Sequence, residues 1–203
     1  MGTYGSIVSD IISETGRGDV SVTSNVEQAV LAAIDYYETQ RFWFNEGSTT
    51  ITTSSSLAYY AWPTDMLEID SVVAYSNGCR YKLDPMGYAD MNDVDTGQDY
   101  SMPVAYSMFN QLFRLYPCPN KTYTMVVDYQ KRLPTLSAST DSNAWTNTAA
   151  PLIKARAKAT LAANRWKDFE AAASWHEVEN NELERLRLQT EKLLGTGKIS
   201  PEY

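Results

Sequence analysis

The sequence predicts an α+β fold: helices from both ends of the chain form a bundle, and an antiparallel β domain is inserted between them. Three observations carry this. The first forty-odd residues show apolar positions at helical spacing, the stretch from Thr49 to about Lys131 alternates at strand spacing, and the region from Pro151 to Leu194 returns to helical spacing. The expected divisions are N-terminal helices over 1–47, a β insertion over 48–136, C-terminal helices over 137–194 and a Gly- and Pro-containing tail over 195–203.

Thr3 is placed to cap a first helix. Behind it Tyr4, Ile7, Val8, Ile11 and Ile12 make a one-sided apolar stripe, and Gly16 ends it. Ser24 to Glu27 reads as a capping box for a second helix that buries Val26, Ala29, Val30, Ala33, Ile34 and Tyr37. That helix is expected to run to the cluster Phe42, Trp43 and Phe44, a plate between helical and β layers, before Asn45, Glu46 and Gly47 stop it.

Strands are expected at 49–53 and 57–62. Another holds Ile69, Val72, Val73 and Tyr75 and turns at Asn77-Gly78, a strong two-residue hairpin signal, to return over 79–83. Asp84-Pro85 reads as the start of a short helix carrying Met86, Tyr88, Ala89 and Met91. A hairpin over 103–116 turning at Asn110, a rigid turn over 117–120 and a strand over 123–129 follow. The Ser- and Thr-rich segment 137–147 reads as a polar loop leading back to the helices. The C-terminal helices begin rich in Ala (Ala155, Ala157, Ala159, Ala162, Ala163). They end heavily charged, with Val178, Leu183, Leu186 and Leu193 as a thin apolar seam suited to packing along one edge.

At 203 residues the chain can bury roughly 70% of its unfolded surface and needs no disulfide or metal to fold. The net charge of −8 argues against wrapping or reading nucleic acid, which takes a basic face. Fourteen Tyr and five Trp suit surfaces exposed in isolation and buried in an assembly, and equally suit a sheet core. Cys79 and Cys118 form no CxxC, and one His cannot complete a zinc set, so two reduced thiols are expected. No apolar run approaches the ~20 residues of a membrane span.

Chemistry has few candidates. There is no phosphate-binding Gly-rich loop and no GxSxG elbow. His176 sits on a charged helix near Trp175, and Glu182 and Glu184 are placed in an exposed helix rather than a cleft. In the acidic run 90–99, Asp93, Asp95 and Asp99 alternate around Gly97. A hard cation could use such carboxylates, but the Glu that closes an EF-hand loop is missing, and a solvated loop is the better reading. The myristoylation pattern at Met1 to Ser6, the Arg17-Gly18-Asp19 tripeptide and the glycosylation triplet Asn120 to Thr122 are read as coincidence with a helix start and two loops. An enzyme is not expected, and neither is a cofactor.

The order of features has a counterpart. A short amphipathic helix is followed by a second helix ending in aromatics and Asn45-Glu46, then Thr49 to Thr53, Tyr59 to Ile69, Phe113 to Pro119, Tyr129 to Leu136 and an Ala-rich C-terminal helix. This order resembles the head-to-tail adaptor proteins of tailed bacteriophages, in particular those similar to the tail tubular protein A of short-tailed phages. The resemblance implies a structural virion protein, made in the host cytoplasm, that forms a ring, commonly dodecameric, beneath the portal protein. The ring extends the channel for genomic DNA without binding it specifically and offers a platform to tail nozzle and fibre proteins, with no membrane involved. Carried onto this chain, helices 25–44 and 150–194 would form the ring wall. Trp43, Trp166, Phe169, Leu183 and Leu186 would meet neighbouring copies. The tail would be an arm reaching the portal through Lys198, Ile199, Pro201 and Tyr203, and the acidic surplus would keep the DNA backbone from sticking. The alternative from the residues alone is a non-enzymatic module that stacks a glycan or other surface ligand on Tyr59, Tyr60 and Trp62.

Overall fold

A computed structural model describes residues 2–16, 20–193 and 195. The chain divides into two units, one built from the segments up to Phe44 and from Leu133 onward, the other from Asn45–Arg132. The fold is α+β, a bundle of N- and C-terminal helices with an inserted, mainly antiparallel β domain.

In the helical unit, α1 (Tyr4–Thr15) starts as its sequence dictates. The Thr3 side chain accepts from the Ser6 N–H while the Ser6 hydroxyl accepts from the Thr3 N–H, and Gly16 closes the helix at φ 63°. Two more N–H groups of the first turn are taken by the segment 137–141: Tyr4 N donates to Asp141 O at 2.8 Å and Gly5 N to Ser139 O at 2.9 Å. That approach needs glycine, since a Cβ on Gly5 would lie 2.8 Å from the Ser139 Cβ and 2.9 Å from its carbonyl oxygen.

The second helix, α2 (Val20–Tyr37), differs from expectation at both ends. Ser24 and Glu27 lie inside it, so the apparent capping box caps nothing. The helix stops at Tyr37, and Phe42, Trp43 and Phe44 follow in a non-helical turn and a single 3-10 turn over Trp43–Asn45. These rings pack onto Trp145. Phe42 and Phe44 stack 5.2 Å apart, and both meet the Trp145 ring edge-on, at 5.8 and 5.1 Å. Trp145 belongs to a one-turn helix, α4 (Ala144–Asn147), inside the segment expected to be a polar loop. The rings therefore fill the core of the helical unit, alongside Ile11, Val26, Val30, Tyr37, Leu152, Ile153 and Leu186.

Helix α5 (Ala150–Leu161) opens with Pro151 in its first turn and runs into a short π-helix over Ala162–Trp166. Lys167 then takes a left-handed conformation (φ 56°), and the Asp168 carboxylate accepts from the Ala171 N–H to start α6 (Phe169–Leu193). Arg156 pairs with Glu179, and Lys158 with Trp175, so the two helices fold back antiparallel. Only a narrow stripe of α6 is buried, at Ala172, Glu179, Leu186 and Thr190.

The β unit holds two sheets. The first has the order β1 (Glu46–Thr52), β10 (Thr124–Lys131), β3 (Met66–Ser76), β4 (Cys79–Lys82), all antiparallel. The second has the order β2 (Tyr59–Ala61), β8 (Leu112–Tyr116), β7 (Ala105–Phe109), β5 (Asp84–Pro85), with β5 parallel to β7. Val72, Ala74, Met125 and Val127 from one sheet meet Tyr106, Phe113 and Leu115 from the other in a shared core. The Asn77-Gly78 hairpin forms with both residues at positive φ, and Asn110-Gln111 does the same between β7 and β8.

Two local expectations fail in this unit. Asp84-Pro85 starts no helix. Asp84 N donates to Val104 O and Met86 N to Tyr106 O, so Pro85 sits between two ladder bonds where its missing N–H costs nothing. The helix, α3, begins later, at Tyr88–Val94, behind Gly87. The rigid turn at 117–120 also contains a two-residue strand, β9 (Cys118–Pro119), parallel to β6 (Tyr100–Ser101).

Candidate interaction surfaces

The buried charged groups of the helical unit, Glu179 and Lys158, are each met by an opposite charge. Glu179 is almost wholly buried on α6 and accepts from the Tyr37 hydroxyl, from Arg156 Nη1 at 3.1 Å, and sits 2.7 Å from His176 Nδ1. Arg156 in turn lies over the Tyr36 ring at 3.9 Å. Burial, then the hydrogen bond to Glu179, pushes the Tyr37 phenol well above its ordinary range. His176 is thus a partner of a buried carboxylate. Glu182 is held by Arg185 at 2.7 Å along the same helix, and Glu184 is exposed. Lys158, also buried, reaches Glu14 of α1 and places its ammonium 4.1 Å from the Trp175 ring; burial lowers its pKa. Lys154 adds a pair with Asp10 at 3.1 Å. Together these contacts tie α1, α2, α5 and α6.

In the β unit the counterpart is Arg114. Directly opposite residues of paired strands share a face, so Tyr59, Arg114 and Ser107 lie on the outer face of the second sheet, under α3. The Arg114 guanidinium donates to Asn92 Oδ1 and, at 2.7 Å, to Asp95 Oδ2, both from the end of α3, where the helix dipole also favours a cation. The rings of Tyr59 and Tyr88 flank it at 5.7 and 5.4 Å. Its Nε is buried without a partner. Asp95 is held below the usual carboxylate range, first by the Gly97 N–H and then by Arg114. Tyr88 stacks on Phe109 at 4.3 Å, and Tyr116 donates to Val94 O and Asp99 Oδ2, both at 3.2 Å.

The acidic run 90–99 is therefore partly a helix and partly a clamp for Arg114. Among the described residues no group of three His, Cys, Asp or Glu side chains is arranged to hold a metal ion. Both cysteines are free. The aromatics considered for stacking a ligand do not form one platform. Tyr59 and Tyr60 point to opposite faces of β2, the Tyr60 hydroxyl is bonded to Ser54 and Leu57, and Trp62 packs against the β core.

The candidate contact residues fall into four groups. Leu186 is fully buried inside the helical unit and has no surface left for a neighbour, which removes it from a ring contact. Trp43, Trp166 and Leu183 pack partly against the core of their own unit. Phe169, at the start of α6, is 69% exposed. Lys198, Ile199, Pro201 and Tyr203 lie outside the described residues, as do Arg17-Gly18-Asp19 and Leu194. Two open grooves mark the helical unit, of about 360 Å³ along Asn25, Gln28, Ala32, Thr160 and Asn164, and about 330 Å³ along Tyr4, Val8, Ile12, Glu27 and Ser139. Sequence reading missed Arg114 and Glu179. The signal for Arg114 was an arginine flanked by apolar residues in an alternating strand, on a sheet whose outer face is covered.

Buried charges that satisfy one another, aromatic side chains left at the surface and a long helix packed on one edge describe a structural protein that works through contacts with other chains. The family model described as SU10 adaptor protein matches residues 2–198, and the chain belongs to that family of phage head-tail adaptors. No curated protein matches the chain. It is accordingly a bacteriophage structural adaptor of tail assembly, a partner of other head and tail proteins. Among the described residues no helix is long and apolar enough to cross a membrane.

Proposed function

We propose that copies of this chain form a ring at the head-tail junction of the virion, between the portal and the tail, and that genomic DNA passes through the ring during ejection. One observation carries the reading. Helix α6 is 25 residues long, yet only one narrow stripe of it is buried within the chain, and Phe169 at its start is left bare. A helix of that length with most of its circumference unpacked suits contact with other subunits. The ring wall is then α2 with α5 and α6, and lateral contact falls on Phe169, supported by the partly covered Trp166, Trp43 and Leu183. The tail beyond Gly195 serves as the arm to the portal, through Lys198, Ile199, Pro201 and Tyr203, and the β unit meets the tail proteins. The excess of carboxylates along α6 keeps phosphates from adhering to the channel. A dodecamer is the expected count.

Native mass spectrometry of the chain mixed with its virus's purified portal tests this. A discrete complex carrying a fixed number of copies, lost on Phe169→Asp, is the expected result. Copies that bind singly, or not at all, overturn the reading.

A further inference from the structure

The β unit carries two exposed surfaces of opposite charge. The first lies where α3 covers the second sheet. Phe109 and Tyr59 are 58% and 42% exposed, and Tyr88 stacks between α3 and Phe109. Asp90 and Asp93 are exposed on the outward side of α3, one helical turn apart. Neither carboxylate has an ion-pair partner among the described residues. Arg114, the one cation beneath, is already committed to Asp95. Exposed rings with unpaired carboxylates on the same short helix suit an arriving cation, which gains both the charge and the ring faces.

The second surface is the β3–β4 hairpin. Tyr75 and Arg80 are directly opposed in the ladder and share a face with Lys82. All of β4 is exposed, Tyr75 is exposed as well, and neither Arg80 nor Lys82 has an ion-pair partner among the described residues. In a chain with a net charge of −8, two adjacent unpaired cations beside a bare tyrosine stand out.

The geometry points to a second copy of this chain as the occupant of the first surface: the Tyr75, Arg80 and Lys82 face of one copy docks on Tyr59, Tyr88 and Phe109, with Asp90 and Asp93 of the next copy taking the two cations. The contact joins two different patches and is therefore head-to-tail, the kind that repeats around an axis. It rests on the reading that copies stand side by side, and it adds which surfaces of the β unit meet.

Charge reversal tests it, because all four residues are exposed, with circular dichroism of each variant checking that it folds. Asp90→Lys with Asp93→Lys, and separately Arg80→Glu with Lys82→Glu, are assembled on the purified portal and compared with the unaltered chain. Each pair is expected to weaken assembly more than roughly tenfold, and the four changes together to restore it, since the charges are then exchanged rather than opposed. Exposed Cys79 at the hairpin supplies a second readout. With Asp93→Cys added, a short bifunctional thiol reagent should give a ladder of covalent multimers. Charge-reversed pairs that assemble like the unaltered chain, a fourfold variant no better than either pair, or cross-links confined to single chains would overturn this docking while leaving the ring intact. An unaltered chain that assembles nowhere, together with an Asp93→Cys chain that gives no ladder, would overturn both.

Discussion

Each unit has a buried charged side chain at the centre of a polar network, Glu179 in one and Arg114 in the other, and the two are treated differently. In the helical unit Glu179 is surrounded: Tyr37, Arg156 and His176 come to it from α2, α5 and α6 itself. In the β unit Arg114 is clamped from one side only, by Asn92 and Asp95, while rings flank it and one nitrogen goes without a partner. The difference follows from depth. Glu179 is out of reach of water, so every lone pair needs a protein donor. Asp95, the partner of Arg114, still touches solvent and the Gly97 N–H, so the clamp can open without stranding a charge. The first network fastens three helices at once, and the second fastens a single short helix to the sheet behind it.

Removing Glu179 should therefore have the largest effect. Glu179→Ala leaves Arg156 and the Tyr37 hydroxyl without their shared acceptor and should cost about 3–5 kcal/mol in urea unfolding. Glu179→Gln, which still accepts from Tyr37, should cost less. If both variants unfold at the wild-type midpoint, the network does not hold the bundle.

Arg114→Met keeps the stem and drops the donors. It should cost about 1–3 kcal/mol, less than the loss of Glu179. The loss should be local, with hydrogen exchange quickening over 88–95 and unchanged in α5. A uniform rise across both units would contradict the comparison.

The two sites should also part under pH. Asp95 has a lowered pKa, so its contribution is fully present above the ordinary carboxylate range and is lost as pH falls through the depressed value. Protection of α3 should fade in acid before that of α5. Tyr37 has a raised pKa, so its contribution is whole below the ordinary phenol range and is lost as pH rises through the elevated value. An ultraviolet titration of wild type against Tyr37→Phe should show one tyrosine that ionises only when the bundle opens. A Tyr37 that titrates with the exposed tyrosines would show its bond to Glu179 to be weak. This last effect is the smallest of the four.

Much of the fold was legible because it is decided locally. Thr3 and Gly16 bracket α1 with contacts a few residues apart, and Asn77-Gly78 needs only its own φ angles. The alternation of 105–116 fixed the β7–β8 hairpin in the same way. What was misread depended on distant partners. Ser24 and Glu27 have the spacing of a cap, but the chain before them is already helical, and no local rule separates the two cases. Asp84-Pro85 has the chemistry of a helix start and became a strand because Val104 and Tyr106 offer carbonyls to its flanking N–H groups. Trp145 stood alone in a polar segment with no periodicity to mark it, and only the packing of Phe42 and Phe44 shows why it is there. The break at Lys167 did leave a trace, Asp168 three residues ahead of Ala171, which is the spacing of an N-cap. The burial of Leu186 was not legible, since the exposed Val178 and Leu193 belong to the same thin seam and only tertiary packing tells them apart.

The central claim is that the surface left bare in one copy exists to meet further copies around an axis. Electron cryomicroscopy of the chain bound to its portal tests it most directly. A closed ring coaxial with the portal, with Phe169 in the lateral contacts, is the result this account predicts; single copies scattered on the portal with α6 facing solvent would contradict it.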